Sequence, residues 1–201
     1  MKRSLFFLIA LCLIATSVLQ AQSVGDYGSA ANGNWGTAGT WVVCQTNGTW
    51  EGTTAATSLP TSATTISFFV RSGHTVILEA SPKYCYNLTV ESGAQLYANA
   101  VVTSPKYLRV CGTTVKVDGT LGASSGSDAL GLYLPNADQT VTIIGSGVIG
   151  VSRIQPSTTG QTVIFDANVN VNYAGSSGTV LQVYMLIIRI TQHSRLMPVK
   201  P

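Results

Sequence analysis

The chain has 201 residues, 45% of them hydrophobic and only 9% charged, against about 25% charged in an ordinary globular domain. It carries 24 Thr, 21 Val, 20 Ser and 20 Gly, which excludes coiled coils, long-helix bundles and charged disordered chains, since these need Glu, Lys, Arg or Leu in bulk. Eleven Lys and Arg against eight Asp and Glu give a net charge of +3 without a basic block. No nucleic-acid partner is expected, and what remains is the chemistry of strands and tight turns.

Residues 1–21 read as a secretory signal. Lys2 and Arg3 open it, Ser4 to Val18 is almost unbroken apolar sequence, and Leu19-Gln20-Ala21 places a small residue at the expected cut. A membrane anchor is the competing reading. The run from Leu5 to Val18 is only 14 residues, short of the roughly 20 that cross a bilayer, so no membrane span is expected after cleavage. Without the signal, residues 22–180 hold six bases and eight acids, a charge of −2. Export implies an oxidising compartment, yet only Cys44, Cys85 and Cys111 would remain, so at most one disulfide forms. Their spacings of 41 and 26 match no metal motif.

Residues 22–60 are expected to form an N-terminal cap. All three tryptophans (Trp35, Trp41 and Trp50) and seven of the 20 glycines lie between residues 25 and 52. The segment Thr40 to Trp50 reads as a hairpin turning at Asn47-Gly48, the strongest short hairpin signal. A loop is expected at Thr53 to Ala63.

From residue 61 to 180 the sequence repeats. Phe68-Phe69-Val70-Arg71-Ser72-Gly73 aligns with Leu88-Thr89-Val90-Glu91-Ser92-Gly93 and with Leu108-Arg109-Val110-Cys111-Gly112. A second alternating pair follows each turn: Val76/Leu78, Leu96/Ala98 and Val115/Val117. Looser copies continue through Leu130/Leu132/Leu134, Val141/Ile143, Val148/Val151, Val163/Phe165 and Val169/Val171. Strands this short, apolar at alternate positions, bury one face each and must stack on their neighbours. The step of 20 predicts an all-β, right-handed parallel β-helix of about 20 residues per rung; the alternative is an antiparallel β-sandwich. Gly122 to Ala129 and Gln155 to Gln161 are expected to be loops leaving the coil. Residues 181–201 break the pattern and read as an atypical tail, truncated or frameshifted.

Several segments resemble a known group. Gly25-Asp26-Tyr27-Gly28-Ser29-Ala30-Ala31-Asn32-Gly33-Asn34-Trp35, Val70-Arg71-Ser72-Gly73-His74-Thr75-Val76 and Asn87 to Leu96 are similar to the opening of large secreted proteins of Bacteroidota. The same rungs resemble the extracellular domain named for its eight glycines. The resemblance covers residues 22–120 and implies a β-helix-like fold on a secreted or cell-surface protein. Such proteins usually end in a type IX secretion sorting domain, which has no counterpart here, as expected of a fragment.

Chemistry-bearing residues are few. Trp35, Trp41 and Trp50 could stack on sugar rings or pack inside the cap. Asp166, Asn168, Asn170 and Asn172 alternate with apolar residues, so one strand would present a polar strip for sugar hydroxyls or for a calcium ion. Asp118, Asp128 and Asp138 are spaced by ten but adjoin turn residues, where Asp commonly bonds to backbone. His74 has no partner visible in sequence. The sequence therefore predicts a non-enzymatic β-helix module, adhesin-like or glycan-associated, whose partners are extracellular glycans or other surface proteins. The alternative is a carbohydrate-active β-helix enzyme of lyase or hydrolase type, or its N-terminal fragment, which would need carboxylates converging from different rungs.

Overall fold

The structure, a computed structural model, describes residues 22–46, 48–50, 53–59, 65–99, 104–123, 129–156, 161–166 and 168–171. The expected signal at 1–21 and tail at 181–201 lie outside them. The alternating apolar sequence forms short strands joined by corners, with one 3-10 turn at Ala38–Thr40 and no α-helix among the described residues. The N-terminal region supplies β1 (Tyr27–Ser29), β2 (Gly33–Asn34), β3 (Trp41–Val43) and β4 (Thr54–Ala55). Four turns of coil follow: β5 (Phe68–Val70), β6 (Thr75–Leu78) and β7 (Lys83–Cys85); β8 (Leu88–Val90), β9 (Gln95–Ala98) and β10 (Lys106–Val110); β11 (Thr114–Val117), β12 (Thr120–Gly122) and β13 (Leu130–Leu134); β14 (Thr140–Ile144), β15 (Val148–Gly150) and β16 (Arg153–Pro156). β17 (Thr162–Phe165) and β18 (Asn170–Val171) begin the next.

From β5 onward every third strand pairs in parallel, which builds three sheets, with β2 added at the start of the second. The first runs β5-β8-β11-β14-β17, the second β2-β6-β9-β12-β15-β18, and the third β7-β10-β13-β16. This is the parallel β-helix that the repeat predicts; a sandwich of antiparallel sheets is not formed. The 20-residue step holds for the first pairs, Phe68 on Leu88 and Thr75 on Gln95. Later steps lengthen: Leu88 stacks on Val115 and Thr120 on Val148, while Thr140 stacks on Thr162.

One alignment made from the sequence is corrected by this register. Leu108 and Val110 do not lie on Leu88 and Val90. They lie on Lys83 and Cys85, in the third sheet, and Val115 takes the place on Leu88. The physical reason is that all three sheets present the same apolar–x–apolar pattern to the core. A longer connection between β9 and β10 therefore shifts the phase without altering local periodicity.

Inside the coil, apolar side chains stack in files one rung apart. Phe68, Leu88, Val115 and Ile143 form one file, Val76, Leu96, Leu121 and Ile149 a second, and Leu108, Leu132 and Ile154 a third. All are essentially inaccessible to water. Truncating one of them, as in Leu132→Ala, costs roughly 2–5 kcal/mol because the neighbouring rungs cannot close the void.

The corners are held by polar side chains that accept backbone N–H groups from adjoining rungs. Asp26 Oδ1 accepts from Ser67 N (3.0 Å), Ser29 Oγ from Arg71 N (2.8 Å) and Asn32 Oδ1 from Thr75 N (2.7 Å). Glu91 Oε2 accepts from Ser72 N (2.9 Å), Asn87 Oδ1 from Thr114 N (3.0 Å) and Asp118 Oδ1 from Ser146 N (3.1 Å). Each satisfies a donor that leaves the ladder where the chain bends.

The N-terminal region is more than a lid. β1 and β2 pair in parallel with β5 and β6, so they form two sides of a rung. β3 then adds antiparallel to β1, and β4 to β3. Of the expected Asn47-Gly48 turn, Asn47 lies outside the described residues; Thr46 bridges Thr49, and Gly48 has φ +81. β3 finds its antiparallel strand partner beyond the expected return arm, at Thr54–Ala55. Trp35 and Trp41 close this end of the core. Their rings lie 4.6 and 4.9 Å from Phe68 and 5.0 Å from each other, and Tyr27 stacks on Phe68 at 5.1 Å.

Candidate functional site

The outer surface of the third sheet carries a constellation assembled by rung stacking. In β7, β10, β13 and β16 the apolar positions turn inward, so the intervening residues face out. Tyr84, Arg109, Tyr133 and Gln155 follow one another in strict register. Tyr107, Gly131 and Arg153 form the adjoining file. Gly131 matters here: a Cβ would stand 2.7 Å from Tyr107 Cε1, so only glycine lets that ring lie flat across the next strand.

Arg109 is the centre of the group. Its guanidinium lies 5.3 Å from the Tyr84 ring centroid and 4.9 Å from that of Tyr133, a sandwich worth about 0.5–1 kcal/mol per ring at exposed sites. One terminal nitrogen donates to the Tyr84 hydroxyl at 3.1 Å. Nε is buried and has no hydrogen-bond partner among the described residues. Beside it opens a cavity of about 300 Å³ lined by Ser81, Pro82, Tyr107, Arg109, Tyr133 and Gln155. Ser81 Oγ accepts the Tyr107 N–H at 2.9 Å, which ties the corner to the strand. The cavity thus offers aromatic faces, a cation and neutral hydrogen-bonding groups on a rigid sheet. None of its lining side chains is a carboxylate.

The residues singled out from sequence lie elsewhere. Trp35 and Trp41 are 2% and 0% exposed, and the Trp41 indole N–H donates to the Trp35 carbonyl at 2.8 Å. They fill the core and offer no ring face to a sugar. Trp50 is half-buried on the outside of the first sheet. It lies across Gly28 and meets the Phe69 ring at 5.4 Å, with the Arg71 guanidinium 5.4 Å from its own ring centroid. The strip expected from Asp166 to Asn172 is not one strand. Asp166 Oδ1 accepts from Asn168 N and Nδ2 at 3.2 and 3.3 Å, folding the corner before β18, which holds only Asn170 and Val171. Asn172 lies outside the described residues.

Asp118 and Asp138 both serve turns. Asp118 holds Ser146 and pairs with Lys116 Nζ at 3.2 Å. Asp138 occupies a left-handed turn position at φ 56, and Asp128 lies outside the described residues. Among the described residues no three His, Cys, Asp or Glu side chains are placed to share a metal ion. His74 does have a partner, which the sequence concealed: its Nδ1 lies 2.8 Å from Ser29 Oγ. Ser29 Oγ also accepts from Arg71 N, and the fully buried serine serves as a corner support.

Cys44, Cys85 and Cys111 are free and buried. The Cys44 thiol donates to Thr46 O at 3.0 Å and Thr49 O at 3.2 Å. Burial pushes the Cys85 thiol well up, reinforced by the neighbouring Cys111. Burial also raises Cys111, although Arg109 pulls the other way. Both are poor nucleophiles at neutral pH.

No protein-family model, curated protein or solved structure matches this chain. Its fold is read from its own strand register, and its candidate site from the Tyr84–Arg109–Tyr133 file. That site escaped sequence reasoning because its members are 25 and 24 residues apart and belong to different rungs. The one available signal was the recurrence of Lys-Tyr at 83–84 and 106–107, followed by Leu-Tyr-Leu at 132–134. No described helix is long and apolar enough to cross a membrane.

Proposed function

We propose that this chain is a non-enzymatic β-helix module of a secreted or cell-surface protein, and that it holds extracellular glycans on the outer face of its third sheet. The observation that carries this reading is the file Tyr84–Arg109–Tyr133 beside the 300 Å³ cavity. Tyrosine rings offer apolar faces to the C–H side of a pyranose while their hydroxyls meet water or sugar hydroxyls. A β-helix keeps such groups at fixed spacing, so little ordering cost falls on binding. The resemblance of residues 22–120 to secreted Bacteroidota proteins supports the extracellular setting.

The carboxylates support a binding role over an enzymatic one. Asp26, Glu91, Asp118 and Asp166 each accept hydrogen bonds that shape corners, whereas glycoside chemistry needs two carboxyl groups facing one bond. The test is a glycan array probed with the chain in calcium-free and calcium-containing buffer. Binding is expected in both arms, and Tyr133→Ala should weaken it at least ten-fold. Binding in neither arm refutes the reading.

A further inference from the structure

We infer that the ligand of this face is an acidic glycan, whose pyranose rings carry a carboxylate or a sulfate, and that Arg109 is the group that reads the charge. The inference rests on the glycan-binding reading and adds its ligand class.

Three features point the same way. First, Arg109 has no anionic partner among the described residues. The ion pairs Lys83–Glu79 and Lys116–Asp118 lie off the cavity, and among the described residues Arg109 donates to the neutral Tyr84 hydroxyl while its buried Nε–H meets no acceptor. A buried donor on a charged group is costly to leave unmatched. A sugar hydroxyl could accept one such N–H, but only an oxyanion also answers the charge, and the guanidinium fork suits two-oxygen recognition.

Second, no acidic side chain lines the cavity to repel an anion: Ser81, Pro82, Tyr107, Tyr133 and Gln155 are neutral. Third, the guanidinium is pre-positioned. Tyr84 below and Tyr133 above hold it at 5.3 and 4.9 Å, so it loses little side-chain freedom on binding. The neighbouring Tyr107 ring, flat over Gly131, supplies an apolar face for the same sugar or the next one.

The test uses the chain and a panel of galacturonan, alginate and chondroitin sulfate oligosaccharides. Each is placed beside its carboxyl-reduced or desulfated form. At least one acidic member should bind ten-fold or more tightly than its neutral counterpart, and the paired arms tell carboxylate from sulfate. Arg109→Gln should abolish that preference, lowering the affinity for the acidic form at least ten-fold and bringing it down to that of the neutral form measured on the same variant. A urea melt followed by circular dichroism checks that this variant folds. Should it not fold, salt supplies the second test: raising NaCl must weaken the acidic ligand and spare the neutral one.

Equal affinity for acidic and neutral forms overturns the assignment to Arg109 and leaves the glycan reading standing. A preference unaffected by both Arg109→Gln and salt overturns it as well. Binding to no member of either series overturns both.

Discussion

Phe68→Ala tests whether the N-terminal aromatic cluster seals the coil. The ring is 1% exposed and meets three aromatic neighbours with centroids at 4.6, 4.9 and 5.1 Å. Transfer of the ring to water costs roughly 1.5–3 kcal/mol. Adding the unfilled cavity brings a buried Phe→Ala change to about 3–5 kcal/mol. Each aromatic pair adds about 0.5–1.5 kcal/mol beyond its area, so a value near 4 kcal/mol is expected. With a urea slope of about 1–3 kcal/mol per molar, the midpoint should fall by at least ~1 M. Two probes separate the cap from the coil. All three tryptophans lie between residues 35 and 50, so indole emission reports the N-terminal end, while circular dichroism reports every strand. Because each rung contacts only its neighbours, the emission midpoint should move further than the dichroism midpoint. Phe68→Leu, which keeps most of the volume, should cost less than about 1.5 kcal/mol. An emission midpoint in Phe68→Ala indistinguishable from that of the wild type would refute the packing argument. Coincident loss of both signals would refute the independence of the cap.

Two further outcomes follow from the corners and the thiols. Gly145 sits at φ +123 with its missing Cβ directed at the Val117 backbone, whereas Gly39 has open space around it; Gly145→Ala should cost about 2 kcal/mol or more and Gly39→Ala should change stability by less than about 1 kcal/mol, in urea melts of each variant. The buried thiols of Cys85 and Cys111 titrate above their ordinary value, so the unfolded chain loses these protons first as pH rises. Their contribution is complete below the unfolded thiol value of about 8.5 and is lost as pH climbs through the folded values. The reduced protein should therefore show a falling urea midpoint between pH 8 and 9.5, with a smaller fall in Cys85→Val; a flat profile would contradict the burial of Cys85.

Much of the fold was legible because burial in a β-helix is local in sequence. Val76/Leu78 and Leu96/Ala98 alternate as a one-face-buried strand must, and Gly73 and Gly93 recur at the corners with φ of 80 and 76. Register was less legible. Leu108 and Val110 matched Leu88 and Val90 as a pattern, and only the chain path between β9 and β10 put them on Lys83 and Cys85 instead. The role of an aromatic was also hidden. A tryptophan that fills a core and one that lies on the outside of a sheet look alike from their neighbours in sequence, and burial alone separates Trp41 from Trp50.

By itself the amino-acid sequence determined the strand class, the corner residues and the one-sided burial of each strand. These depend on a residue and its neighbours within about one strand length. Tertiary structure decided which sheet each strand joins, and therefore which outward side chains meet. Tyr84, Arg109 and Tyr133 become one site only because three rungs stack in register. Their contact depends on the lengths of the connections between strands, and the alternation along each strand carries no record of those lengths.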